Sequence, residues 1–137
     1  MFSVGPLDEE WVERLAAMKE ISDEVVTGLA RGDTCEMAYE AGVTIARERG
    51  VSGHLMGMPP DQARFLGHSI GLHLDETPVV ARGFSNPLQI GGTMAIEPKV
   101  IYTNGAIGLE DSWVRTEHGM ECLTAGDAIP LHQEWDS

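Results

Sequence analysis

One stretch of this chain gathers reactive side chains at close spacing. Residues 67–78 read GHSIGLHLDETP and hold His68, His73, Asp75 and Glu76 among small and apolar neighbours. Gly67 and Gly71 let the backbone come close to a neighbour or a ligand. If residues 69–74 are extended, alternation sends His68 to one face and His73 to the other, so the two would not bind the same ion. His68 would then share its face with Ile70, Leu72 and Leu74. A polar ligand on an apolar face suits a metal in a dry cleft. The alternative is a buried histidine held by a backbone carbonyl.

Two carboxylates extend the pattern. Glu97 lies between Ile96 and Pro98 in the run TMAIEPKVIY, and Glu110 follows Leu109 in AIGLEDSWVRT. Ionised carboxylates inside strands that otherwise read as core are costly unless paired or metal-bound. One His with two Glu is an O/N ligand set suited to Mn, Fe, Co or Zn. A pair of acids on the open side of a sheet is the competing reading.

The elements that must position these residues are legible. Residues 7–30 show an apolar stripe at Trp11, Leu15, Met18, Ile21, Val25 and Leu29, which predicts a helix. Asp8 is placed to cap it and Gly32 to end it. Asp33 with Glu36 has capping-box spacing for a second helix, whose buried face would be Met37, Ala41 and Ile45. Together, residues 7–50 read as a helix hairpin that covers a sheet. Residues 51–65 are irregular, broken by Gly53, Gly57 and Pro59-Pro60, with His54, Met56 and Met58 serving either the core edge or a site.

The sheet is expected over residues 66–124, mainly from strands at 67–74, 93–102 and 106–116. A hairpin turn at Asn104-Gly105 would set Glu97 opposite Ser112, with Glu110 its diagonal neighbour. The tail, residues 130–137, would be ordered only if Trp135 docks. The fold class is α+β.

Composition narrows the function classes. The chain has 137 residues, 42% of them apolar, enough for one packed domain. Its formal charge is −13 with only nine Lys and Arg, which argues against nucleic acid or an anionic membrane surface as partner. Cys35 and Cys122 stand in no CxxC arrangement; a reduced pair is the simplest reading, a single disulfide the other. No apolar run reaches the length of a membrane span and no signal segment opens the chain, so a cytoplasmic protein is expected.

Taken together, GHSIGL with LDETP, then AIEP, GLED and RTEHGMECLT resemble the signature of the pita-bread metallopeptidases. That family includes methionine aminopeptidase, aminopeptidase P, prolidase and creatinase. The likeness runs from Phe2 to about Thr124. It implies helix pairs around a curved antiparallel sheet whose concave face holds a pair of divalent ions. By resemblance, His68, Glu97 and Glu110 match three metal ligands, and Glu97 and His68 are the catalytic residues, Glu97 also handling protons. Asp75 and His54 would lie at the substrate rim.

The chain departs from the family pattern in ways that matter. Nothing in it matches the two Asp ligands, and the N-terminal pseudo-symmetric half has no counterpart. Asp75 stands seven residues after His68, where the family usually has His. Residues 1–137 are therefore expected to form a single, truncated pita-bread catalytic domain. Two ions about 3.5–4 Å apart need several carboxylates to offset their charge. His68, Glu97 and Glu110 would hold at most one ion, weakly.

The resemblance implies a metallopeptidase acting near the N-terminus of peptide substrates, often at Xaa-Pro bonds, and inactive in this form. A non-catalytic pita-bread module that binds peptide or protein, and a creatinase-type C–N hydrolase, are the alternatives. An unpaired sheet edge implies a homo-oligomer, such as a dimer.

Overall fold

A computed structural model of the chain describes residues 2–124 and 130–135. In chain order the elements are β1 (Phe2–Val4), α1 (Glu9–Arg31), α2 (Cys35–Glu48), β2 (Gly67–Ile70), β3 (Glu76–Val79), β4 (Thr93–Ile96), β5 (Lys99–Tyr102), β6 (Gly105–Gly108), β7 (Asp111–Thr116), β8 (Gly119–Cys122) and β9 (Gln133–Trp135). The two helices pack on an antiparallel sheet ordered β3-β2-β4-β7-β8. This is the α+β architecture that the sequence implies.

Helix α1 follows its apolar stripe. Leu15, Met18, Ile21, Val25 and Leu29 are buried, and Trp11 packs half-buried against the same core. Asp8 occupies the N-cap but makes no side-chain capping bond, and Gly32 closes the helix in the left-handed conformation.

Helix α2 differs from expectation in two respects. Its cap is Thr34, whose hydroxyl accepts the Met37 amide at 3.1 Å, and not Asp33. Its buried face is Cys35, Ala38, Gly42 and Ala46, while Met37 is 56% exposed. The cause is the closeness of the packing. A Cβ at Gly42 would lie 2.6 Å from Leu66 Cδ1 and 3.0 Å from Val25 Cγ2. Only a seam of small residues fits there, so Met37 is turned outward and Tyr39, Val43 and Ile45 pack half-buried at the margins of the seam.

Between α2 and the sheet, residues 52–54 form a single 3-10 turn, and Leu55 and Met56 plug the core edge. The Met56 amide donates to the Lys99 carbonyl at 2.8 Å.

The long strands expected at residues 93–102 and 106–116 each break once. Pro98 has no N–H to donate, and around it the chain passes from the five-stranded sheet into the separate β5–β6 ribbon. The partner strand breaks opposite, at Leu109-Glu110, where the Leu109 amide donates to the Pro98 carbonyl at 3.2 Å. The strand expected at 67–74 also stops early, at Ile70, and residues 71–75 bend away. Leu72 and Leu74 are 94% and 75% exposed, so they do not share an apolar face with His68. At the chain's two ends, β1 pairs in parallel with β9, an element with no clear signal in its short sequence. Trp135 belongs to β9 and is 58% exposed, and residues 136–137 lie outside the described residues.

Leu66, Met94, Ile96, Val100 and Ile107 face the helices and complete the core. Gly67 sits where β2 presses hardest on β4: a Cβ there would lie 2.3 Å from the Ala95 carbonyl oxygen and 2.8 Å from Ile96 Cδ1.

Two outcomes follow. Gly67→Ala must push β2 off β4 and should cost about 1–3 kcal/mol in urea unfolding, whereas Gly53→Ala, in open space, should change stability by less than about 0.5 kcal/mol. Equal midpoints for the two variants would contradict this packing. Burial raises the Cys35 thiol above its ordinary titration range. In the folded protein at pH 8, iodoacetamide should therefore modify half-buried Cys122 well before buried Cys35, as read by peptide mass spectrometry.

Candidate functional site

The site is built from strand register. His68 of β2 lies opposite Ala95 of β4, and Ala95 lies opposite Ser112 of β7. Met94 and Ile96 point into the helix-side core, so alternation turns His68, Ala95 and Ser112 to the opposite face. Glu97, two residues after Ala95, is on that face too and is the diagonal neighbour of His68. Carried across the strand break, the β4–β7 register sets Glu97 opposite Glu110 and not Ser112. The turn is the reason: Tyr102 pairs with Gly105, so the two turn residues are Thr103 and Asn104, one position earlier than expected.

His68 and Glu97 meet as this register requires. Nε2 of His68 is 3.4 Å from Oε1 of Glu97, and the two side chains are only 11% and 12% exposed. Asp75, which is 75% exposed, places Oδ1 3.0 Å from the same Nε2. The other ring nitrogen, Nδ1, lies 3.1 Å from the Ser69 carbonyl oxygen. With Nδ1–H donated to that carbonyl, a neutral ring would present its Nε2 lone pair to two carboxylates. The arrangement sets the Nε2 edge of the ring against both carboxylates, where donors of a cation-ligand type stand side by side. Both readings of His68 meet here: a backbone carbonyl holds the ring, and the ring faces acids.

Lys99 completes the cluster. Its Nζ is 2.6 Å from Oε2 of Glu97, so one carboxylate is engaged by an imidazole on one oxygen and an ammonium on the other. A buried carboxylate needs such partners. Sequence reasoning overlooked Lys99, although its spacing of two from Glu97 in an extended run places both on one face. Glu97, Lys99 and Glu110 line an open cleft of about 300 Å³ together with residues 106–109. Glu110 is exposed there.

The loop that carries Asp75 is closed by Glu76, which the sequence reading names without assigning it a role. Its Oε1 accepts the His73 amide at 2.7 Å and lies 3.3 Å from His73 Nδ1. Gly71 makes room for this carboxylate, since a Cβ there would fall 2.3 Å from Glu76 Oε2. The His73 side chain is 79% exposed and engages Glu76 rather than the His68 cluster. His54 is not among the residues that line the Glu97–Glu110 cleft. Its ring stacks on Tyr102 at 4.0 Å between centroids, and its Nδ1 lies 2.9 Å from the Ile101 carbonyl oxygen. The guanidinium of Arg14 covers Tyr102 as well, 3.6 Å from the ring centroid. His54 thus packs on Tyr102 at the end of β5, the ring that Arg14 of α1 also covers.

Among the described residues, no three His, Cys, Asp or Glu side chains are placed to hold a metal ion. His68, Glu97 and Glu110 supply suitable donors, but they do not close into a three-ligand group, and Lys99 occupies one Glu97 oxygen. These residues alone do not fit a two-ion centre. No helix among the described residues is long and apolar enough to cross a membrane.

Comparison with known proteins places this geometry. The model of metallopeptidase family M24 matches residues 1–117. An X-Pro aminopeptidase from Thermotoga maritima is similar in structure, with a TM-score of 0.82 and 23% identity, over 99% of this chain and 36% of that one. The dipeptidase PepE from Mycobacterium ulcerans gives a TM-score of 0.84 at 21% identity, over 99% and 34%. The prolidase from Pyrococcus horikoshii OT3 gives 0.77 at 26% identity, over 90% and 34%. These likenesses establish the pita-bread fold, and the chain spans about a third of the length of the structures it matches. A search of curated proteins gives no significant match.

The loop geometry is open to test. Gly71→Ala and Glu76→Gln should each free the His73 amide, lowering its hydrogen-exchange protection by about threefold to tenfold, since a bond to a charged acceptor is lost at an exposed site. Protection unchanged within about twofold in both variants would show that the Glu76 carboxylate does not close the loop.

Proposed function

This chain belongs to metallopeptidase family M24, and from that premise we propose that it supplies one wall of a peptidase centre of the aminopeptidase P and prolidase kind. His68, Glu97 and Glu110 are the metal ligands that this wall contributes, and Asp75 stands at its substrate-facing rim. The observation that carries the reading is the imidazole edge of His68 set against Glu97 and Asp75 on the face turned away from the helices. A structural histidine on a small-residue face does not require two carboxylates around one nitrogen. When bound, a divalent ion of the Mn, Co, Fe or Zn class would supply Lewis acidity at that edge. Glu97, freed from Lys99, is the residue placed to hold or pass a proton beside it.

The remaining ligands come from outside these residues. Two carboxylates and one imidazole cannot balance a pair of divalent ions, so this chain by itself binds at most one ion and hydrolyses no peptide. The same incompleteness favours self-association. β3 and β8 are the outer strands of the sheet, and Leu72 and Leu74 stand exposed beside β3.

The experiment is a titration of the chain with Mn(II), followed by electron paramagnetic resonance, beside an assay on Xaa-Pro dipeptides. At most one ion should bind, with a Kd weaker than about 0.1 mM. His68→Ala and Glu97→Gln should each weaken binding at least about tenfold. Undiminished binding in both variants would refute the ligand assignment, and turnover near the usual enzyme range of about 1–1,000 per second would refute the inactivity of the lone chain. Peptide binding without metal dependence would instead favour a non-catalytic module. Light scattering should show a species larger than the monomer at high micromolar concentration, and a clean monomer would count against self-association.

A further inference from the structure

The chain carries only nine Lys and Arg against a formal charge of −13, yet three of those cations converge on one groove. Arg47 comes from α2, Arg64 from the loop before β2, and Arg82 from the segment after β3. The groove has a volume of about 450 Å³ and is walled by Tyr39, Val43 and Leu55. It shares no residue with the Glu97–Glu110 cleft.

The three guanidinium groups are not equivalent. Arg82 donates from Nε to Glu40, a pairing that lowers the Glu40 carboxyl below its ordinary range and raises Arg82. Arg47 feels Glu40 only through space. Among the described residues, neither Arg47 nor Arg64 donates a side-chain hydrogen bond to any acceptor. Gln62 fixes the wall between them, its amide nitrogen bonding the Ser52 and Leu55 carbonyls at 3.2 and 2.9 Å. The floor is apolar: Leu55 is buried, and Val43 and Tyr39 are half-buried one helical turn apart on α2.

We propose that this groove binds a small dianion with an apolar or aromatic body, either a phosphomonoester or a dicarboxylate. Two guanidinium forks that donate no side-chain hydrogen bond among the described residues match the oxygens of phosphate or paired carboxylates, and a monoanion would leave one fork unused. The volume falls within the usual range for small-molecule sites, about 300–1,000 Å³. The strongly acidic surface decides against a polyanion. An extended nucleic acid would have to cross that surface, whereas a small dianion needs only the local basic groove.

The test is isothermal titration of the full chain with phenyl phosphate, with phenylsuccinate, and with neutral benzyl alcohol, followed by amide NMR shifts. One dianion should bind one to one, shifting the Val43 and Ala63 amides, and benzyl alcohol should not. The tighter of phenyl phosphate and phenylsuccinate identifies the source of the dianion. Arg47→Gln and Arg64→Gln should each weaken binding about tenfold, as the loss of a charge-assisted bond requires. Arg64→Lys, which keeps the charge but loses the fork, should fall between. Both arginines are exposed, so the variants should keep the wild-type melting temperature. If the double variant Arg47→Gln/Arg64→Gln stays folded and binds as wild type does, or if benzyl alcohol binds as well as the dianions, the proposal is overturned. If it unfolds, undiminished binding by Arg64→Lys overturns the proposal and weakened binding supports it.

Discussion

The seam between β2 and β4 is the constraint on which the rest depends. Gly67 lies so close to the Ala95 carbonyl and the Ile96 side chain that no larger residue fits without moving a strand. That closeness locks a register in which His68 stands opposite Ala95. Because side-chain direction alternates along a strand, a slip of one residue would turn His68 into the helix-side core and away from Glu97. The contact between His68 and Glu97 is therefore a consequence of backbone packing, and the chemistry of the open face is inherited from the core beneath it.

The core in turn rests on the seam between the helices. Cys35, Ala38, Gly42 and Ala46 let α2 approach α1 closely enough for Leu66 to reach into the space beside Gly42. Leu66 precedes Gly67 directly and anchors the start of β2. The small face of α2 thus bears on the position of His68 through two residues of β2 and its approach. The break at Glu97-Pro98 adds the second half of the device. It ends the ladder where Glu97 must turn toward the cleft, and it lets Lys99 come back to the same carboxylate.

The open face carries a partial charge balance. Glu97 is half-buried and held between an imidazole and an ammonium, while Asp75 and Glu110 remain exposed. A carboxylate flanked in this way is stable within the chain as it stands, and its partners occupy the places that a cation would need. This explains how His68 and Glu97 can stand adjacent on one face without belonging to a closed ligand group. It also agrees with a chain that spans about a third of the length of the similar structures. In those proteins the same fold is one part of a larger molecule.

Read without coordinates, the residues determined a good deal. The stripe from Trp11 to Leu29 specified α1 because a long run at helical period has one low-energy arrangement. The α+β class, the family motifs and the approach of His68 to Glu97 were legible, since residue type and local spacing carry them. What the sequence could not decide was anything fixed by a close approach of distant segments. The buried face of α2 was misread because Met37, Ala41 and Ile45 are more apolar in type, while the available gap admits only small residues. The true register depended on where one turn began, a difference of a single residue that local signals do not resolve. Leu72 and Leu74 looked like core and stand in solvent, because the bend after Ile70 comes from Gly71 and the Glu76 carboxylate. The contacts of Lys99 with Glu97 and of Glu76 with His73 are local and leave a signal in the spacing, whereas the convergence of Arg47, Arg64 and Arg82 was decided by tertiary structure alone, for it joins segments whose nearness follows only from how the whole chain packs.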